Sequence, residues 1–351
     1  MNPPLIGGAL QSKTDYRDGI AAVSAPAPAP TTLPASYQTD LSPFGVYNQV
    51  QEPACVSHSW GERIKEWWFN KTGEVVDFSP RFLDILSAEP DIPLDGGRRP
   101  RTVAKISATF GCATTATVPN DTTLPIAQYR DPSVITAAAK ADALKYRIPG
   151  YLAAPLDLVG LRTYTYLYGS VSVLMQIGAE WYTPSWADKD IDPLRIPLNI
   201  IGGHQTLTKG WVDFDKNTLR NSWSDQWANK GEANYSWSAW RPYMLEGWTI
   251  AELPEDLKTF LANLPAPSSF HYQWNHNLAY GDDNDDVKWL QVALIILGFL
   301  PPIPADEIGI FGSKTAAAVG KYQVSKGIFP APESVGPQTR AKLNAEFTIS
   351  N

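Results

Sequence analysis

NQVQEPACVSHSW, residues Asn48 to Trp60, decides how the rest of the chain is read. Pro53 precedes Val56, Trp60, Ile64, Trp67 and Trp68, which recur at helical spacing, so a helix is expected to open near Cys55. A thiol in the first turn of a helix meets backbone N–H groups and the positive end of the macrodipole. Both favour the thiolate, the form that attacks carbonyls. Gln49, six positions upstream on an irregular segment, can turn a side-chain amide towards the same point and donate to an oxyanion. A lone Cys in a Trp-rich helix is also an ordinary core residue, so the reading depends on what the chain supplies further on.

It supplies a base and an amide. Gly202 and Gly203 allow close backbone approach, and His204 follows them at the start of an alternating strand that runs to Trp211. An imidazole on a rigid strand can form an ion pair with a thiolate and protonate a leaving amine. Asn221 lies in RNSWSDQW (Arg220 to Trp227), at the end of the following strand. Its amide can hold the His204 ring, with Trp223 shielding that bond from water. His204 stands 149 residues after Cys55, and Asn221 166 residues after it.

NQVQEPACVSHSW, GGHQTLTKGW and RNSWSDQW together resemble the three active-site blocks of papain-like cysteine peptidases, whose His and Asn follow the Cys by about 130–150 residues. LPASYQTDLSPF, FSPRFLDIL and GSVSVLMQI extend the likeness to roughly residues 33–240. The resemblance implies an α+β, two-lobe fold, with a helical lobe carrying Cys55 and a β-barrel-like lobe carrying His204 and Asn221. It implies catalytic roles for Cys55, His204, Asn221 and Gln49, and substrate contacts from Gly203, Trp223 and Trp227. Neither metal nor organic cofactor is implied. There are departures. Glu52-Pro53-Ala54-Cys55-Val56 stands where the family has Cys-Gly-Ser-Cys-Trp, and Ser224 and Ala228 replace expected glycines. Residues 1–36 are too short for a long inhibitory pro-region. Cell-wall amidases with a Cys–His pair place the His much closer to the Cys, which argues against that class.

The remaining composition bounds the partners. The chain has 351 residues, with Lys+Arg 29 against Asp+Glu 36, and a net charge of −7 argues against a nucleic-acid binder. The densest basic cluster, Arg98, Arg99 and Arg101, reads as a solvated loop. Two cysteines cannot make a disulfide framework. The longest apolar stretch, Leu290 to Leu300, is too short to span a bilayer, and the N-terminus lacks a signal-peptide pattern. No membrane partner is expected. Neither His58, His271 nor His276 suggests a metal site. Asp282, Asn284 and Asp286 lack the glycine and glutamate of a calcium loop, so they are read as helix-capping groups.

Residues 1–32 read as a tail with a stiff APAPAP spacer at Ala25 to Pro30, residues 33–250 as the first unit, the peptidase-like domain, and residues 251–278 as a linker with a Pro-rich stretch at Leu264 to Pro267. The last unit, 279–351, contains an internal echo. VKWLQVALIILGF (Val287 to Phe299) is repeated in AVGKYQVSKGIF (Ala318 to Phe329), and FGSKTAAAV (Phe311 to Val319) in VGPQTRAKL (Val335 to Leu343). Two helix–turn units make a small all-α module. Gly309, Phe311, Gly312, Thr315, Ala318, Val319 and Gln323 match the motif of the peptidoglycan-binding domain found in many cell-wall hydrolases, which the module resembles. The expected partners are therefore a protein or peptide substrate in the first unit and peptidoglycan at residues 279–351. The expected place of action is extracellular, at a cell wall or in a phage virion.

Overall fold

The computed structural model describes residues 8–13, 15, 18, 32–50, 53–182, 190–191, 199–252, 270–301 and 303–347. The APAPAP spacer and the Pro-rich stretch at 264–267 lie outside these. The chain divides into two compact units, residues 1–12 with 27–252, and residues 13–26 with 253–351.

The first unit is α+β. Its principal helix, Cys55–Thr72, starts at the predicted cysteine and ends at Gly73, whose left-handed backbone (φ 76°) turns its N–H onto Phe69 O. Pro80–Leu86 and Pro100–Thr109 each begin with proline, where the missing N–H costs nothing, and both pack on the principal helix. Trp60, Ile64, Phe82 and Val103 close the core between them.

The basic cluster is not a solvated loop. Arg98 is buried against fully buried Asp84: its Nε donates to Asp84 O at 2.8 Å, and Nη2 lies 3.5 Å from Asp84 Oδ2. Arg130 completes the group with Nε 2.6 Å from Asp84 Oδ2, and donates to Pro53 O, two residues ahead of Cys55. Arg99 pairs with Glu89 and Asp91. The carboxylate partners lie 8–46 residues away in sequence, so no local pattern announced that burial.

Among the described residues the sheet lobe holds eight strands: β1 (Tyr37–Gln38), β2 (Tyr151–Ala153), β3 (Val171–Ile177), β4 (Asp190–Ile191), β5 (Gly202–Trp211), β6 (Lys216–Arg220), β7 (Glu232–Ser236) and β8 (Met244–Ile250). The order is β2-β8-β3-β5-β6-β7-β4, with β1 added on β5. All pairings are antiparallel except β4 with β7. β3 sends Leu174 into the helical core and Val171, Val173 and Met175 into the core behind the sheet. β5 was expected to alternate, yet His204 to Trp211 are all buried. The reason is position: the Cys55–Thr72 helix packs on this strand, which lies inside the sheet. The same packing brings the helix that begins at Cys55 to the strand that carries His204.

The second unit has helices Asp285–Ile296, Ser313–Ser325 and Pro337–Phe347. Asn284 caps the first by accepting from Val287 N, with Asp285 and Asp286 in its opening turn. Two buried glutamines reproduce the internal echo. Gln291 Nε2 donates to Thr315 Oγ1 and Ile310 O while its Oε1 accepts from Gly309 N. Gln323 Nε2 donates to Thr339 Oγ1 and Ser334 O while its Oε1 accepts from Glu333 N. Each amide ties a loop to the helix that follows it. The core also reaches back into the stretch read as a linker, because Phe270, Trp274 and Leu278 pack among Val287, Leu290 and Phe347. Among the described residues, no helix is long and apolar enough to cross a membrane.

Candidate active site

Cys55 is the first residue of its helix, and Ala54 before it provides no side-chain cap. Backbone N–H groups of Gln205, Val56 and Cys55 itself reach the thiol, and each favours the thiolate. Burial outweighs them. With no exposed surface, the Cys55 thiol is pushed up to about 12. Cys112 is buried in the helical core and is pushed up as well, again chiefly by burial, and its thiol donates to the carbonyls of Ser79 and Ala113. The contact from Gln205, the residue after His204, sets Cys55 apart.

His204 Nε2 lies 2.7 Å from Asn221 Oδ1. The backbone N–H of Ser222 also donates to Asn221 Oδ1, at 2.8 Å. An atom that accepts from an amide N–H is the carbonyl end of the Asn, so His204 Nε2 must be the donor. The neutral ring then carries its proton on Nε2 and a lone pair on Nδ1, the tautomer needed to take a proton. Burial holds the imidazole down to about 4, opposed by the Asn221 hydrogen bond. Burial thus favours the neutral form of both the thiol and the imidazole.

Trp223 packs on the His204 ring with centroids 4.6 Å apart, beside the His204–Asn221 bond as expected. Trp181 meets the His204 ring edge-on at 6.0 Å and stacks on Trp227 at 5.9 Å. Trp227 Nε1 donates to Trp181 O, so Trp227 sits behind the site as a support for the other two. Gln49 is buried beside Ser222, whose Oγ donates to Gln49 Oε1 at 2.6 Å, while Gln49 N donates to Ser222 O. Ser222 thus orients both amides. Gly203 sits where a β-carbon would come 2.5 Å from Ala9 O. Close backbone approach is what that glycine permits, and the approaching backbone is the N-terminal segment.

Ser222, Trp181 and the segment at Gly8 were not singled out from the sequence. Ser222 follows Asn221 inside the quoted block, which was its only signal. Trp181 looks like any other tryptophan of the chain until β3 and β5 bring it to His204. Among the described residues, no group of three His, Cys, Asp or Glu could hold a metal ion.

A helical lobe bearing a Cys at a helix start, joined to an antiparallel sheet bearing a His–Asn pair, is the papain-like fold. Xylellain, a cysteine protease from Xylella fastidiosa, is similar with a TM-score of 0.58 at 19% identity, over 72% of this chain and 99% of its own. Procathepsin B S9 from Trypanosoma congolense is similar with a TM-score of 0.50 at 15% identity, over 63% of this chain and 78% of its own. No curated protein matches the sequence. Residues 283–343 match the family described as "Putative peptidoglycan binding domain".

Proposed function

We propose that the chain is a cysteine endopeptidase that works through Cys55, His204 and Asn221, and that residues 283–343 carry it to bacterial peptidoglycan. The observation that carries the catalytic part is the Ser222–Asn221–His204 chain of hydrogen bonds, which dictates the imidazole tautomer beside a cysteine at a helix start. In the reaction, Cys55 Sγ attacks the scissile carbonyl carbon and its proton passes to His204 Nδ1. Gln49 and the Cys55 N–H receive the oxyanion. The proton moves on to the leaving amine, the C–N bond breaks, and a thioester remains. Water attacks the thioester, His204 takes its proton, and the acid product departs as that proton returns to sulfur. Gly203 and Trp223 border the reacting groups, so they supply substrate contacts; Trp227 acts through Trp223.

The match at residues 283–343 favours peptide cross-bridges of peptidoglycan as the substrate at a cell wall, with soluble protein as the broader class. Casein and purified sacculi distinguish them, using the full chain and the chain lacking residues 1–12. Peptide release that vanishes in Cys55→Ala is expected. Turnover of neither substrate by either form would overturn the peptidase and leave a binding component of a wall or virion.

A further inference from the structure

We propose that Gln205 and Glu62 are positioning residues for the proposed peptidase: together they hold one water molecule behind Asn221, bonded to the end of its amide that His204 does not use. The inference rests on the peptidase reading for its kinetic consequence, but not for its geometry. Asn221, Gln205 and Glu62 line one small cavity, with about 10 Å³ open to the centre of a water molecule. That is room for a single water, which also needs two to four polar partners.

The three side chains supply those partners. Each is more than nine-tenths buried, and their unused atoms are complementary. Asn221 Nδ2, a donor, has no hydrogen-bond partner among the described residues; nor have Gln205 Oε1 and the two carboxylate oxygens of Glu62, all acceptors. Glu62 Oε1 lies 2.9 Å from Arg220 Nε, an ion pair that still leaves both oxygens without a hydrogen bond. A water that accepts from Asn221 Nδ2 and donates to Gln205 Oε1 and to Glu62 makes three hydrogen bonds, the usual number for an internal water. Orphaned one by one, these buried groups each cost free energy; one bridging water satisfies them together.

The other polar groups around the cavity are committed elsewhere. Tyr47 Oη donates to Phe78 O, His58 Nδ1 donates to Ala54 O, and Ser222 Oγ donates to Gln49. Ser59 Oγ pairs with Ser172 Oγ at 2.7 Å, and Gln205 Nε2 donates to that same Ser172 Oγ at 2.8 Å. With Nε2 fixed on β3, Oε1 is the end of the Gln205 amide left for the water.

The consequence follows from what the three residues carry. Glu62 lies two turns along the helix that begins at Cys55. Gln205 follows His204 on β5, and its backbone N–H reaches the Cys55 thiol. The water therefore joins the helix of the thiol to the imidazole–amide pair. It also sets which way the Asn221 amide faces. Turned over, that amide would offer an N–H to His204 Nε2 and favour the opposite tautomer, but it would also put a third acceptor on a water that has only two hydrogens.

The test has a structural arm and a functional one. A high-resolution crystal structure of the full chain should show one water within hydrogen-bond distance of Asn221 Nδ2, Gln205 Oε1 and Glu62. Nitrogen-15 NMR of the four ring-labelled histidines, at a neutral pH where burial favours the uncharged ring, reads the His204 tautomer directly. Gln205→Leu should give a mixture of the two tautomers and lower kcat on casein about 10-fold at unchanged KM, since the substrate contacts stay in place. Glu62→Leu should do the same, whereas Glu62→Gln, which keeps an oxygen acceptor, should retain the wild-type tautomer. No water at that place, or the wild-type tautomer in both leucine variants, overturns the proposal. Tautomer mixing in those variants, with no turnover of casein or sacculi by the wild-type chain, keeps the positioning water and removes the peptidase reading. Wild-type kcat in both leucine variants keeps the peptidase and removes the positioning role.

Discussion

The second unit and the first both bury side-chain amides, and they use them in opposite ways. Gln291 donates to three acceptors and Gln323 to two, and each accepts one hydrogen bond, all with a loop or the next helix. Asn221 is held through one end. Its Oδ1 takes the Ser222 N–H and faces His204, while Nδ2 has no hydrogen-bond partner among the described residues. A buried amide left partly unpaired costs stability, about 1–3 kcal/mol for an orphaned group. The module spends its amides on shape. The site leaves one end of an amide without a partner side chain and gains a fixed imidazole tautomer.

The comparison is sharpest where activity is read. His204→Ala should lower kcat/KM on casein by about 10³-fold or more, because it removes the proton carrier. Asn221→Ala should leave a measurable remnant above the Cys55→Ala baseline, since orientation is worth less than transfer. Gln49→Ala should cost about 10²-fold, the lower range for one oxyanion donor. Equal losses at His204 and Asn221 would break the distinction between a transferring and a positioning group.

Gln291→Ala should act on stability alone. It orphans Gly309 N and removes one of the two hydrogen bonds that Ile310 O accepts, a loss of about 1–3 kcal/mol in a small unit. The thermal transition of the second unit should drop by many degrees while casein turnover by the first stays unchanged. Activity falling in parallel would show that the two units do not work independently.

Acid gives a smaller and graded effect. Burial holds His58 and His204 both down to about 4, so the folded state keeps them neutral where the unfolded chain protonates them near 6.5. A depressed folded value means that this stability is fully present above pH 6.5 and is lost as pH falls from there towards 4. The slope is about 1.4 kcal/mol per pH unit for each group. Urea midpoints between pH 7 and 4 should show it, and His58→Gln should reduce the slope by about half. An unchanged slope would mean that His58 is not buried as a neutral base.

The smallest effect is at the two residues that replace expected glycines. Ser224 and Ala228 have φ of 69° and 45°, in the left-handed region that disfavours a β-carbon. Ala228→Gly should stabilise the first unit by about 0.5–1 kcal/mol, read as a rise of a few degrees in Tm, with activity unaltered. A fall in Tm would mean that the methyl group packs well enough to outweigh the backbone strain.

Those two residues also show what a sequence carries. The family pattern marked positions 224 and 228 as glycine sites, and the backbone there is left-handed although no glycine occupies it. Helical spacing after Pro53 located the helix that begins at Cys55, and the internal echo of the last unit located its helix–turn units, because each signal recurs over a short stretch of chain. The hydrogen bond between His204 and Asn221 joins two short blocks that the resemblance to papain-like peptidases singled out.

What the sequence did not contain was the meeting of distant segments. Arg98 read as solvated because its partner Asp84 lies on another element, and charge patterning along a chain does not register a buried carboxylate. β5 read as alternating because a strand does not record that a helix covers its second face. Ser222 joined Gln49 to Asn221 across 173 residues, and Trp181 reached His204 only through the pairing of β3 with β5. Gly8, in a segment read as a tail, came to rest on Cys55 by the same means. Local spacing determined which groups can do chemistry. Long-range packing decided their burial, their protonation and what covers them, because hydration and hydrogen-bond partners are properties of a place in the fold rather than of a position in the chain.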